Sequence, residues 1–174
     1  MNNIPKIYFF TGASGAGKTK FLESLSKETL KTPSIFLNFD SIGVPSEDEM
    51  IKQYGSGSDW QKAMTFFWVK KMLSEYNDQQ IILFEGQVNL VFIKEAFSKY
   101  NFVNYKIILV HCSNVVRHRR LSEYRMQPEL INPEMDNWSD YLMKQAIEHE
   151  ALILDTSNKS MNELIEWYKS NLDL

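Results

Sequence analysis

Five short apolar segments recur along this chain, and a helical pattern follows each of them. They are 6–10 (KIYFF), 34–39 (SIFLNF), 80–85 (QIILFE), 105–111 (YKIILVH) and 151–155 (ALILD). Because these segments are apolar on both faces, they favour buried strands of a parallel sheet that helices cover on both sides. The repeated order of strand and helix predicts a three-layer α/β/α fold with right-handed crossovers.

Serine residues mark three predicted helix starts, each with Glu or Gln three positions later. Such pairs are typical of the capping box, in which each side chain bonds a free amide of the helix end. The pairs are Ser46–Glu49, Ser58–Gln61 and Ser160–Glu163. From Trp60 onward, Ala63, Met64, Phe67 and Trp68 share one helical face, which we predict to pack in the core. The segment 127–134 contains two prolines and is predicted to separate two helices.

The length and composition are those of one globular domain, predicted to span residues 1–174. The chain is 44% hydrophobic and carries a formal net charge of −3, which gives no reason to expect bulk nucleic-acid binding. Its apolar runs are too short to cross a membrane, and the N-terminus lacks the apolar core of a signal peptide. Cys112 is the sole cysteine, which suits a reducing compartment. We expect a cytoplasmic protein, either a monomer or a homodimer.

The most specific motif is GASGAGKT at 12–19, between the first predicted strand and a helical pattern. It matches G-x-x-x-x-G-K-[ST], the phosphate-binding loop, in which glycines let backbone amides surround a polyphosphate. The helix that follows aims its positive end at the same anion, Lys18 can reach the β- and γ-phosphates, and Thr19 can ligate Mg²⁺. The predicted nucleotide-binding residues here are Gly12, Ala13, Ser14, Gly15, Ala16, Gly17, Lys18, Thr19 and Lys20.

Two carboxylates follow neighbouring apolar segments. Asp40 is predicted to end the second strand and Glu85 the third, so both should emerge at the edge that carries the phosphate-binding loop. One would hold Mg²⁺ through water, and the other would accept a proton from a substrate hydroxyl. The sequence leaves open which does which. Gly86 and Gln87 come next and would let a substrate approach the backbone closely.

A basic helical segment, RHRRLSEYR at 117–125, follows the fourth strand. Arg117 and Arg120 share a helical face, whereas Arg119 points elsewhere. Guanidinium groups stabilise a transferring phosphoryl group and stack on adenine. Because a proline-bearing loop adjoins this segment, we predict a small mobile lid around 117–134, with Arg120 and Arg125 as its catalytic residues.

The segments GASGAGKT, NFDSIG, ILFEGQ, RHRRLSEYR and ILDTS stand in an order that resembles the small P-loop kinases, the group of adenylate, shikimate and gluconate kinases. The resemblance implies a five-stranded sheet ordered 2-3-1-4-5. It places substrate between Asp40, the helices at 46–76 and the 85–87 turn. It also implies that Arg120 or Arg119 lies near adenine, that Arg125 reaches phosphate, and that the loop of Asp155, Thr156 and Ser157 lines the adenine pocket.

The chain departs from the patterns of these relatives at the acceptor side. Shikimate kinases carry an Asp-x-Asp pair after the second strand, but position 38 is Asn38, and their triple-glycine turn is replaced by Glu85-Gly86-Gln87. Adenylate kinases carry a substrate-binding arginine after the second strand, yet no arginine or lysine occurs between Asp40 and Lys52. These departures leave the phosphate acceptor open. From the resemblance as a whole we expect a kinase that moves the γ-phosphate of ATP to a small molecule with Mg²⁺. The alternative is a regulatory ATPase or switch that acts on a protein or RNA.

Overall fold

The computed structural model describes residues 4–172 and contains one five-stranded parallel sheet. The strands are β1 (Lys6–Thr11), β2 (Ser34–Asn38), β3 (Ile81–Glu85), β4 (Tyr105–His111) and β5 (Leu152–Asp155). Their order is β2-β3-β1-β4-β5, as predicted. All four neighbouring pairs run parallel, so the carboxyl ends of the strands meet at one edge of the sheet.

Seven α-helices occur in the described residues: α1 (Lys18–Leu25), α2 (Glu47–Tyr54), α3 (Gly57–Glu75), α4 (Leu90–Lys99), α5 (Asn114–Arg119), α6 (Pro133–Glu148) and α7 (Met161–Asn171). A π-helical turn at Arg120–Tyr124 extends α5, and 3₁₀ turns occupy Phe39–Ile42 and Pro128–Leu130. The last of these turns separates α5 from α6, as the prolines predict.

The sheet is apolar on both faces, which is why helices cover both. Ile7 and Phe9 of β1 belong to a buried cluster with residues of α3, α4 and α6. Tyr8 and Phe10 belong to a second cluster with residues of α1 and α7. The alternation follows from the two-residue period of a strand. These two clusters confirm the predicted three-layer α/β/α arrangement.

Two of the three predicted capping boxes are present, at Ser46–Glu49 and Ser160–Glu163. The third prediction is wrong, because α3 begins earlier than Ser58. Ser56 is its N-cap and accepts a hydrogen bond from the Asp59 amide at 3.0 Å. The side-chain amide of Gln61 instead donates to the Gln87 carbonyl oxygen at 2.9 Å. Gln61 therefore makes a tertiary contact and not the predicted bond to the start of its own helix.

The predicted aromatic face of α3 is only partly in the core. Trp60 and Trp68 are buried, but Phe67 is 45% exposed. Phe67 packs edge-on against Trp68, with the Lys71 ammonium 6.0 Å from its ring centre. Adjacent helical positions are about 100° apart, so burying Trp68 turns Phe67 towards the solvent. Among the helices found between residues 4 and 172, none is long and apolar enough to cross a membrane.

The turn after β3 is tightly packed at Gly86. A Cβ added there would lie 2.7 Å from the Phe39 Cβ and 3.2 Å from a Val88 methyl group. The sequence suggested that Gly86 leaves room for a substrate, but Phe39 fills the space beside it. The glycine is therefore needed for packing between the turn and the end of β2.

We predict that Gly86→Ala lowers the free energy of unfolding by about 1–3 kcal/mol, because the added methyl group overpacks a buried contact. Urea unfolding measures the loss. Gly57→Ala is the matched control, since this glycine has ordinary helical space and its replacement should be neutral or slightly stabilising. Equal stability of Gly86→Ala and the unmodified protein would show that Phe39 yields without cost.

Candidate active site

The phosphate-binding loop leaves the end of β1 and enters α1. Gly12, Gly15 and Gly17 have positive φ angles of 153°, 83° and 101°, a region that favours glycine. At Gly12 a side chain would also overlap the carbonyl oxygen of Val110 on β4. The strand neighbouring β1 thus fixes where the loop turns, and Gly17 caps α1.

Lys18 folds back onto this loop. Its Nζ donates hydrogen bonds to the carbonyl oxygens of Gly12 at 2.7 Å and Ala13 at 3.2 Å. Burial lowers the pKa of Lys18 to about 8, although the nearby carboxylate of Glu85 acts in the opposite direction. Two loop carbonyls therefore satisfy the ammonium, which forms no direct ion pair with any residue between 4 and 172.

Glu85 is 6% exposed at the end of β3, and two side chains bond its carboxylate. The Thr19 hydroxyl donates to Oε2 at 3.1 Å, and Asn38 Nδ2 donates to Oε1 at 2.7 Å. Burial raises the pKa of Glu85, while the charge of Lys18 and these two bonds lower it. The carboxylate thus joins the phosphate-binding loop to the ends of β2 and β3.

Asp40 lies beyond β2 in the 3₁₀ turn, because the strand ends at Asn38, one residue before the predicted end at 39. The Asn38 side chain accepts a hydrogen bond from the Asp40 amide at 2.7 Å and so starts the turn. Asp40 is exposed, and its charge is close enough to raise the pKa values of both Lys18 and Glu85. The sequence identified Asn38 as a departure from known patterns but missed that its side chain bonds both the Glu85 carboxylate and the backbone amide of Asp40.

A cavity of about 700 Å³ lies on the other side of the loop. It is bounded by the loop, the start of α1, the π-helical turn, Thr156 and the start of α7. Its lining residues are Gly15, Gly17, Lys18, Thr19, Lys20, Glu23, Arg120, Tyr124, Arg125, Thr156, Lys159, Met161 and Leu164. The sequence reading missed Glu23, Tyr124, Lys159, Met161 and Leu164, although Tyr124 and Lys159 stand within two residues of predicted positions.

Arg120 and Thr156 hold the loop from this cavity. Arg120 donates from Nη1 to the Ala16 carbonyl oxygen at 3.1 Å and from Nη2 to the Thr156 carbonyl oxygen at 2.8 Å. The Thr156 hydroxyl donates to the same Ala16 oxygen at 2.9 Å. Asp155 and Ser157 do not line the cavity. The Ser157 amide donates to Asp155 Oδ1, and the Ser157 hydroxyl accepts from the Ser113 amide.

The four arginines of 117–125 have different surroundings. Arg117 is fully buried and pairs with Asp136, so it does not face the cavity. Arg119 is exposed and lies outside the cavity lining, whereas Arg120 and Arg125 both line it. The Arg125 amide bonds the Arg120 carbonyl oxygen at 3.0 Å across the π-helical turn. The wider turn brings side chains five positions apart to the same side. Motion of a lid stays a prediction.

The residues of this edge suit Mg²⁺ although they form no dense cluster of ligands. In the part of the chain that the structure describes, no three His, Cys, Asp or Glu side chains lie close enough together to hold a metal ion. Mg²⁺ keeps several waters and needs only one or two carboxylates together with substrate phosphates. The Thr19 hydroxyl beside the Glu85 carboxylate supplies oxygen donors of that kind.

The five-stranded parallel sheet and its flanking helices give this chain the same α/β fold as solved shikimate kinases. Shikimate kinase from Acinetobacter baumannii, in complex with shikimate, matches with a TM-score of 0.59 and 14% identity, over 98% of this chain and 97% of that one. The tunicamycin resistance protein of Deinococcus radiodurans matches with a TM-score of 0.68 and 14% identity, over 98% and 96%. Shikimate kinase from Bacteroides thetaiotaomicron matches with a TM-score of 0.58 and 16% identity, over 97% of this chain and 98% of that one. No protein-family model matches the sequence, and no curated protein matches it.

The lowered pKa of Lys18 predicts a pH effect on stability without nucleotide. Folded Lys18 has a pKa of about 8, and its ordinary pKa is 10.5. At pH values between these two, the unfolded chain binds more protons than the folded one, so the free energy of unfolding rises with pH. Relative to Lys18→Met, the unmodified protein should gain stability from pH 8 to pH 10. Urea unfolding at a series of pH values measures this.

The control is Lys20→Met on the same helix, because Lys20 is exposed. Its curve should run parallel to that of the unmodified protein. A parallel curve for Lys18→Met as well would mean that the fold does not perturb the Lys18 ammonium.

Proposed function

We propose that this chain is an ATP-dependent small-molecule kinase that uses Mg²⁺. The observation that carries the proposal is the meeting of Lys18, Glu85 and Asp40 at one edge of the sheet, beside a cavity that holds further cations. Phosphoryl transfer depends almost entirely on such positioning and charge stabilisation. The similarity of the fold to solved shikimate kinases supports the same proposal.

ATP would occupy the cavity of about 700 Å³, with its phosphates along the loop from Gly12 to Lys20. The Lys18 ammonium would exchange the carbonyl oxygens of Gly12 and Ala13 for the β- and γ-phosphates, which match its charge better. Arg120 offers a flat guanidinium to the adenine ring, and Thr156 forms the wall beside it. Asp155 and Ser157 act through the shape of that loop.

The two carboxylates take different roles in this proposal. Glu85, which the Thr19 hydroxyl already contacts, would hold Mg²⁺ through water together with Thr19. When bound, the ion neutralises charge on the phosphate oxygens. Asp40 makes no side-chain hydrogen bond to Thr19 and is exposed, which leaves its carboxylate available to an acceptor.

Asp40, Lys18 and Arg125 act together in the proposed phosphoryl transfer. The acceptor hydroxyl oxygen attacks the γ-phosphorus while its proton passes to Asp40, which acts as general base. The bond from the γ-phosphorus to the bridging oxygen breaks, and that oxygen leaves with ADP. Lys18 and Arg125 stabilise the charge that spreads over the transferring group. The acceptor binds between Asp40 and the helices α2 and α3.

Lys18→Ala tests nucleotide binding. The unmodified protein should melt at a higher temperature with millimolar MgATP, because a ligand that binds only the native state stabilises it by about 2.7 kcal/mol at 100 times its Kd. The variant should lose most of this shift. Lys27→Ala, at an exposed position just beyond α1, should keep it. Absence of any shift in the unmodified protein would overturn the proposed function.

Asp40→Asn and Glu85→Gln separate the two carboxylates. Asp40→Asn should lower acceptor-dependent ADP formation by ~10²–10⁴-fold and leave MgATP affinity nearly unchanged, because it removes only the base. Glu85→Gln should raise the Mg²⁺ concentration needed for half-maximal turnover. Asp78→Asn, exposed in the loop before β3 at the amino-terminal edge of the sheet, is the control and should change neither.

The measurement is coupled ADP release across a panel of hydroxyl-bearing small molecules, with Mg²⁺ titrated in each variant. Restoration of full transfer in Asp40→Asn at saturating Mg²⁺ would reverse the two assignments. MgATP binding with ATP turnover that no small molecule stimulates would favour the regulatory ATPase or switch instead.

A further inference from the structure

Side chains from three parts of the chain form a closed ring around the tip of the phosphate-binding loop. The Ser14 hydroxyl donates to Gln87 Oε1 at 3.0 Å, and Gln87 Nε2 faces the Met135 sulfur at 4.0 Å. The next residue, Asp136, forms an ion pair with Arg117. The Arg117 side chain lies against Gly15, where an added Cβ would be 3.0 Å from Arg117 Cγ. Ser14 thus contacts Gln87, and Gly15 contacts Arg117.

The ion pair is the one strongly charged contact of this ring. Arg117 is fully buried, and among the described residues no protein atom bonds its Nε or Nη1. Its charge therefore depends on Asp136, which also lies 2.8 Å from Nε2 of His118. A buried charge with so few partners is costly to keep for folding alone. Apolar residues of similar size often replace such pairs without loss of stability.

The same pair closes the base of the predicted lid. Arg117 lies in α5 and Asp136 in the first turn of α6, and the residues between them include Arg120, Tyr124 and Arg125, which line the cavity. Because Arg117 and Asp136 hold the two ends of this segment together, they limit where those three side chains can lie. The pair is therefore connected both to the loop tip and to the lid.

We propose that the Arg117–Asp136 ion pair is an anchor that positions the lid arginines and the tip of the phosphate-binding loop for MgATP. Both are positioning residues, since neither lines the cavity. The effect on nucleotide binding rests on the proposed function, whereas the anchoring of the segment does not. The two parts therefore have separate measurements.

The experiment replaces the pair by apolar residues, Arg117→Met with Asp136→Leu, in the full chain. Three quantities are compared with the unmodified protein: the melting temperature without ligand, the rate of trypsin cleavage after Arg125, and the Kd for MgATP. We expect a melting temperature within a few degrees, cleavage about tenfold faster because the segment opens more often, and MgATP affinity about tenfold weaker. The matched control is Lys62→Met with Glu95→Leu, which removes a 2.6 Å ion pair between α3 and α4. It should leave cleavage and affinity unchanged.

If the double variant does not fold, Asp136→Asn replaces it, because this change keeps a hydrogen-bond acceptor beside Arg117 and removes only the charge. Unchanged cleavage after Arg125 in the folded variant would overturn the anchor. Faster cleavage with unchanged MgATP affinity would overturn its role in nucleotide binding. If the unmodified protein binds no MgATP, the proposed function fails, and the cleavage rate alone decides whether the pair anchors the segment.

Discussion

The position of β1 constrains every functional group of this protein. The strand lies between β3 and β4, and the side chains from Ile7 to Thr11 are all buried. A strand that is paired on both edges and covered on both faces can present polar groups only beyond its end. The phosphate-binding loop begins there, and the Val110 carbonyl oxygen next to Gly12 leaves no room for another residue type. The chemistry is therefore confined to the carboxyl edge of the sheet.

Burial at that edge acts on the two central charges in opposite directions. It lowers the pKa of Lys18 and raises that of Glu85, since in each case it disfavours the charged form. The charge of each partly offsets the effect on the other. The loop carbonyls, Thr19 and Asn38 supply the remaining polar contacts. An added anion or cation would therefore act on both charges at once, which is what the proposed binding of MgATP requires.

The loop after β5 supports the phosphate-binding loop from the far end of the chain. Thr156 bonds both the Ala16 and the His111 carbonyl oxygens, and Arg120 bonds Thr156 and Ala16 together. Three segments that are distant in sequence therefore share one small hydrogen-bonded unit beside the cavity. Such a unit is rigid, because each polar group already has a partner. Within the described part of the chain the side chain of the exposed Arg125 makes no comparable hydrogen bond, so it is free to change partners in the proposed binding of nucleotide.

Features that depend on neighbours in sequence could be predicted well. The five strands, the phosphate-binding loop and the capping boxes at Ser46 and Ser160 are as expected. Each of them depends on residues that are neighbours in the sequence: an apolar run, a set of glycines, or a pair three positions apart. The sheet order came from resemblance to a family and is confirmed. Acidic groups after β2 and β3 could be placed at one edge because parallel strands end together.

The tertiary structure alone decided which polar groups meet. In the folded chain Arg117 is buried and pairs with Asp136, and the Gln61 side chain bonds the Gln87 carbonyl oxygen. Phe67 is exposed, and the Asn38 side chain bonds both Glu85 and the Asp40 amide. Periodicity records which positions are apolar, but a polar side chain has the same local pattern whether it faces water or a partner. For Asp136, Gln87 and Glu85, those partners lie 19, 26 and 47 residues away in sequence. Only the packing of the helices on the sheet brings them within hydrogen-bond distance.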